Sequence, residues 1–137
     1  MKYLKIISII SFLLINGLGP HGIPNFAGIL LCLYQFFIDI IDSFTGGYEI
    51  SWLLGFVGIS VTASISIVCF AKKYNDRYQL AIALVILLAN EVFLSNILNY
   101  QKLKPYFLFP LLVFLISSTA LIIKGFKAKI QITQTDI

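Results

Sequence analysis

The sequence predicts an all-α integral membrane protein: four transmembrane helices, with one amphipathic surface helix between the first and second spans. Three observations carry that prediction. Of 137 residues 59% are hydrophobic and only 12% charged, with mean hydropathy +0.95, which is too apolar for an ordinary soluble domain. The apolar residues arrive in blocks of membrane-spanning length rather than in amphipathic periods. The ten Lys and Arg residues lie between those blocks and read as topology signals, so the net charge of +4 does not point to nucleic acid.

The chain begins with Lys2 and Lys5 ahead of an apolar run from Ile6 to Leu18, the outline of a signal peptide, with Gly17 and Gly19 as a small-x-small pair. Pro20 follows directly and is a poor residue after a scissile bond. The expectation is therefore a retained first span over 3–19, short enough for Lys5 to snorkel to the surface. The string GPHGIPN, residues 19–25, ends it, because two prolines and two glycines cannot continue a helix.

Residues 26–42 read as a helix with Asn25 as N-cap. Gly28, Cys32, Gln35, Asp39 and Asp42 fall on one narrow stripe at 3.6 residues per turn. Such a helix either crosses the membrane with its stripe turned inward or lies at the surface with its stripe toward water. Counting basic residues separates the two. Without a crossing, Lys2, Lys5, Lys72, Lys73, Arg77, Lys124, Lys127 and Lys129 share one side against Lys102 and Lys104, eight against two. With a crossing the best split is six against four. Cytoplasmic loops carry the basic excess, so the surface helix is the better reading, and Asp39, Asp42 and Glu49 fall on the external face.

A loop containing Gly46 and Gly47 leads to the second span, 52–70, whose outer boundary Tyr48 and Trp52 mark. Here Ser51, Gly55, Gly58, Thr62 and Ser66 form a helix-packing stripe of small residues, with Ser60 and Ser64 roughly opposite. Two small faces describe a central helix approached by two neighbours. Basic residues follow, with Asn75 or Asp76 available to cap the third span, 79–98, and Tyr74 and Tyr78 at headgroup level. A fourth span covers 105–123, with Pro105 in its first turn and a bend expected at Pro110. Residues 1–123 thus form one membrane domain, and 124–137 a polar, mostly flexible cytoplasmic tail.

The residue that most needs explaining is Glu91. Ten uninterrupted apolar residues, Leu80 to Ala89, precede Asn90 and Glu91, and Val92 to Leu94 follow. A charge at that depth costs about 2.5–3.5 kcal/mol, so the fold must supply a partner. The expected intramembrane polar site comprises Glu91, Asn90, Ser95, Asn99 and Thr62. A hydroxyl of Thr62 or Ser66 is expected to meet the carboxyl group, or the amide of Asn90 or Asn96 from a second copy.

Other chemistry is thinly represented. Cys32 and Cys69 fall near opposite faces and form neither a disulfide nor a CxxC pair. His21 with Asp39, Asp42 and Glu49 would be an external metal or catalytic cluster only if the loops brought them together. No P-loop, nucleophile elbow, zincin motif or internal repeat is visible, and no cofactor is expected. The functional expectation is a non-enzymatic protein of a bacterial plasma (inner) membrane with both termini cytoplasmic. It would act through contacts with another membrane protein, as an accessory subunit of a complex or as a protective protein of the immunity kind. The alternative is a homo-oligomeric transporter or channel subunit using Glu91 as a proton or cation site.

Overall fold

A hydrophobic chain of this kind must pair its backbone groups internally, and helices do so residue by residue. The computed structural model describes residues 1–18, 22–47, 49–72, 75–99 and 102–135, with side chains as far as Lys127. Among these residues there are five α-helices and no strand: α1 (Lys2–Leu13), α2 (Asn25–Phe44), α3 (Trp52–Phe70), α4 (Arg77–Leu94) and α5 (Pro105–Thr135). A short 3-10 turn, Ile97–Asn99, follows α4.

Four of the helices are long and apolar enough to cross a membrane, as the sequence predicted, but they are not the predicted four. They are α2, α3, α4 and the Pro105–Lys127 part of α5. The expected first span, 3–19, is a helix of only 12 residues, because the chain leaves helical geometry after Leu13 and enters an extended hairpin. In that hairpin Asn16 pairs with Pro24 in an antiparallel bridge, Gly17 N donates to Ile23 O at 3.0 Å, and Asn25 N donates to Ile15 O at 2.8 Å. Ile15 and Leu18 are fully buried in it.

Other boundaries moved for local reasons. The third span was expected to reach 98, but α4 closes at Leu94, and Asn96 takes a left-handed φ of 55°, a conformation asparagine tolerates better than most residues. Asp76 holds the N-cap position of α4, yet its carboxylate accepts from Lys72 N at 2.7 Å instead of capping the helix. The expected flexible tail is helical as far as Thr135. Gly125 alone does not stop a run that contains Lys, Ala and Gln, which are good helix formers.

Packing orders the helices. Antiparallel α1 and α5 interlock through Ser8 and Ser118, whose hydroxyls are 3.0 Å apart, and through Phe12 and Phe114, with ring centroids 5.4 Å apart. The α3–α4 pair is antiparallel as well, with Ser60 Oγ 3.3 Å from Asn90 Oδ1. One end of the bundle is basic. There Lys5 Nζ donates to Cys69 O at 3.3 Å and to Ala71 O, and Arg77 and Tyr78 lie against Phe126. Lys104 lies at the opposite end, over the Tyr106 ring.

Helix α2 does not run from one end to the other. Its first residue contacts Glu91, fourteen residues into α4 and thus about 21 Å from the start of that helix. Gly28 faces Leu94, Leu33 meets Gly58, Phe36 meets Gly55, and Asp39 accepts from Ser51 N at 3.1 Å. Ser51 belongs to the end opposite the basic one, so α2 starts inside the bundle at the level of Glu91 and ends at that opposite end.

Its stripe is also turned the other way from the sequence expectation. Gly28 and Asp39 face the bundle, Asp39 being 7% exposed and bonded to Gln35 Nε2 at 2.7 Å. The solvent-facing side instead carries Leu30, Leu31, Tyr34, Phe37 and Ile41. An amphipathic helix with its polar side in water is therefore not what the chain forms. The inward carboxylate is held by two donors, the backbone N–H of Ser51, the N-cap residue of α3, and the Gln35 amide.

Candidate site at Glu91

The local sequence explains why an amide arrives beside Glu91. Pro24, with φ −64° and ψ 148°, takes the N-cap position of α2, and its carbonyl accepts from Ala27 N and Gly28 N at 2.9 and 3.0 Å. Asn25 is thereby the first helical residue rather than the cap, which frees its side chain. It is 2% exposed, and its Nδ2 donates both to Phe12 O, at 2.9 Å, and to Glu91 Oε2. One amide group therefore ties together α1, α2 and α4.

Glu91 is 3% exposed. Its Oε2 accepts from Asn25, and its Oε1 is buried with no hydrogen-bond partner among the described residues. The partner expected from the sequence, Thr62 or Ser66, is elsewhere. Both hydroxyls are on the exposed side of α3 and bond back to their own helix, Thr62 to Gly58 O at 2.7 Å and Ser66 to Thr62 O at 2.9 Å. Hydroxyls on a helix have an i−4 carbonyl always within reach, and with no helix covering that side nothing draws them away.

The remaining candidates divide. Asn90 bonds to Ile86 O at 2.9 Å and contacts Ser60, on the α3-facing side of α4. Ser95, fully buried, donates to Glu91 O at 2.7 Å, and its own carbonyl accepts from Leu18 N at 3.1 Å, so it closes α4 and anchors the hairpin. Asn99 is exposed and donates to Asn96 Oδ1, away from Glu91. Gly55 and Gly58 lie under α2, where a Cβ on Gly58 would stand 2.8 Å from Leu33 Cδ2. Ser60 and the buried Ser64 look toward α4, so the two small faces of α3 serve two different neighbours.

No family model, no curated protein and no solved structure matches this chain. What can be said about it comes from its own residues. At the end of the bundle away from the basic one, Gln35, Asp39, Asp42, Gly47 and Glu49 line a shallow polar cleft. His21, the sequence's fourth candidate for that region, lies outside the described residues, as do Tyr48 and Tyr74. Among the described residues no three His, Cys, Asp or Glu side chains are arranged to hold a metal ion. Cys32 and Cys69 are both free thiols, on α2 and at the last turn of α3.

Sequence reasoning missed Asn25 as the partner of Glu91. A signal was present, since an Asn directly after Pro sits at the first helical position whenever the proline is the cap. Nothing local could say that the amide would meet a residue 66 positions away.

Proposed function

We propose that this is a small multi-pass membrane protein that acts through contacts with another membrane protein, as an accessory subunit or as a protective protein of the immunity kind. The observation that carries the reading is the state of Glu91. The acidic group inside the bundle is enclosed and tied to Asn25, so it serves to hold α1, α2 and α4 together rather than to face a ligand. The apolar outer faces of α2 and α3, including Leu30, Phe37, Phe56 and Ile59, are what remains for lipid and for a partner. The test is gentle extraction from native membrane followed by mass spectrometry: a stoichiometric membrane partner is expected, and a monodisperse lone protein that conducts ions or solutes would overturn the reading.

One observation favours the second reading, an oligomeric transporter or channel subunit. Glu91 Oε1 is a buried oxygen with no partner among the described residues, where a proton or small cation would find a ligand. On that reading Glu91→Gln folds but loses activity, because the amide keeps the bond to Asn25 and has no proton to exchange.

For topology we propose four crossings, made by residues 1–18 as helix plus hairpin and by α3, α4 and α5, with both termini in the cytoplasm of a bacterial cell. Two things support it. Among the described residues, Lys2, Lys5, Lys72, Arg77, Lys124 and Lys127 are the cations of one end, against Lys102 and Lys104 at the other. Helix α2, though long enough to cross, starts inside the bundle at the level of Glu91 and ends beside Ser51 at that second end. Single cysteines in place of Asp76 and Lys127 are expected to label from the cytoplasmic side, and those in place of Gly46 and Lys102 from outside. Labelling of Gly46 and Lys102 from opposite sides would show that α2 crosses.

A further inference from the structure

At the basic end, the first turns of α1 and the last turn of α3 leave a cleft of about 580 Å³ lined by Lys2, Lys5, Ile6, Ile9, Cys69 and Ala71. That volume is within the range of pockets that hold organic ligands, about 300–1,000 Å³. Its walls are apolar along most of their length and its cations are gathered at one end. Lys5 is fixed there, its Nζ donating to the Cys69 and Ala71 carbonyls, and Lys2 is exposed at the mouth. Helix α1 starts at the same place with no side chain capping its first turn, so its N–H groups add partial positive charge.

We propose that this cleft holds one anionic phospholipid, with an acyl chain along Ile6, Ile9 and Cys69 and its phosphodiester beside Lys2 and Lys5. The two halves of the cleft select the two halves of such a molecule. A free phosphate would find the cations but leave the apolar walls uncovered, and a zwitterionic lipid carries an ammonium group into a region already rich in positive charge. Among the described residues the acid of this end is Asp76, and its carboxylate is turned to Lys72 N, at 2.7 Å. Ile6 is 53% exposed, so the cleft opens sideways, as entry from a bilayer requires. The inference rests on the chain being embedded in a membrane.

The test uses the full chain with Trp52→Phe and Tyr3→Trp, which leaves one tryptophan, excited selectively over the tyrosines and one turn of α1 from Ile6. The protein is reconstituted in vesicles of phosphatidylcholine and phosphatidylglycerol in which one or the other lipid carries brominated chains. Each lysine near a membrane surface contributes about 1 kcal/mol toward an anionic lipid, or about fivefold. The Tyr3→Trp reporter is therefore expected to report a preference for phosphatidylglycerol of about fivefold or more. A reporter placed by Ile82→Trp, on the exposed side of α4, is expected to sense both lipids nearly alike. Lys2→Gln, at an exposed position, is expected to reduce the preference by about fivefold without loss of fold. Equal preference at the two reporters, or a preference unchanged by Lys2→Gln, would overturn the site while leaving the membrane reading intact. Absence of quenching by either brominated lipid would overturn both.

Discussion

Replacing Asn25 with alanine is expected to destabilise the protein by about 1–3 kcal/mol, the cost of leaving a buried acceptor without its donor. Two acceptors lose the same amide at once, Phe12 O on α1 and Glu91 Oε2 on α4, so the effect belongs to the upper part of that range. Glu91→Gln is expected to cost much less, since a side-chain carbonyl still faces Asn25. The decisive comparison is the double variant Asn25→Leu with Glu91→Leu. Removing both partners leaves no unsatisfied carboxyl group, so the double variant should be more stable than the sum of the two single changes. Thermal unfolding of the four proteins in one detergent measures this. Strict additivity would mean that the two side chains do not form a unit, and a Glu91→Gln variant as unstable as Asn25→Ala would mean that Glu91 is ionised and has a cationic partner.

Gly55→Leu is the second large effect expected. A Cβ on Gly55 already falls on the Phe36 ring, and a ring held against Trp52 at 6.1 Å between centroids has little room to retreat. Overpacking of this kind costs about 1–3 kcal/mol, and here it is concentrated on the one helix whose main support is α3. Helix α2 should lift away before the rest of the bundle, seen as faster proteolysis after Phe44 and a lowered melting temperature. Phe36→Ala combined with Gly55→Leu is expected to restore much of the loss by returning the space. If the second change gave no recovery, the α2–α3 contact would not be the cause.

The parts of this fold that were legible in the sequence are those that local chemistry determines. Helix α3 is bounded by Trp52 and Phe70 as its hydrophobic block implies, and α5 begins at Pro105, a residue suited to a first turn. Glu91 stands out in any hydropathy reading. What was not legible depends on distance along the chain. The run Leu13–Leu18 is as apolar as the helix before it, and nothing in its composition shows that it will be buried as hairpin rather than as helix. The orientation of α2 depended on Ser51 N, a donor that becomes a constraint only once the loop brings it to Asp39. Thr62 and Ser66 were reasonable partners for Glu91 by depth, but depth does not give azimuth, and they point away from α4.

The hairpin formed by residues 14–18 and 22–24 has a consequence for how the protein is made. Leu18 N and Gly17 have their neighbours at Ser95 and Leu94, and Asn25 has its carboxylate at Glu91. During synthesis these groups emerge from the ribosome some seventy residues before the segment that satisfies them. At elongation rates of about 5–20 residues per second, Leu18 N and the Asn25 amide wait several seconds for their acceptors. An unpaired backbone donor raises the cost of entering hydrocarbon, and here that cost is removed only by a residue of the turn after α4. The hairpin can therefore reach its final set of hydrogen bonds only after α4 has been made.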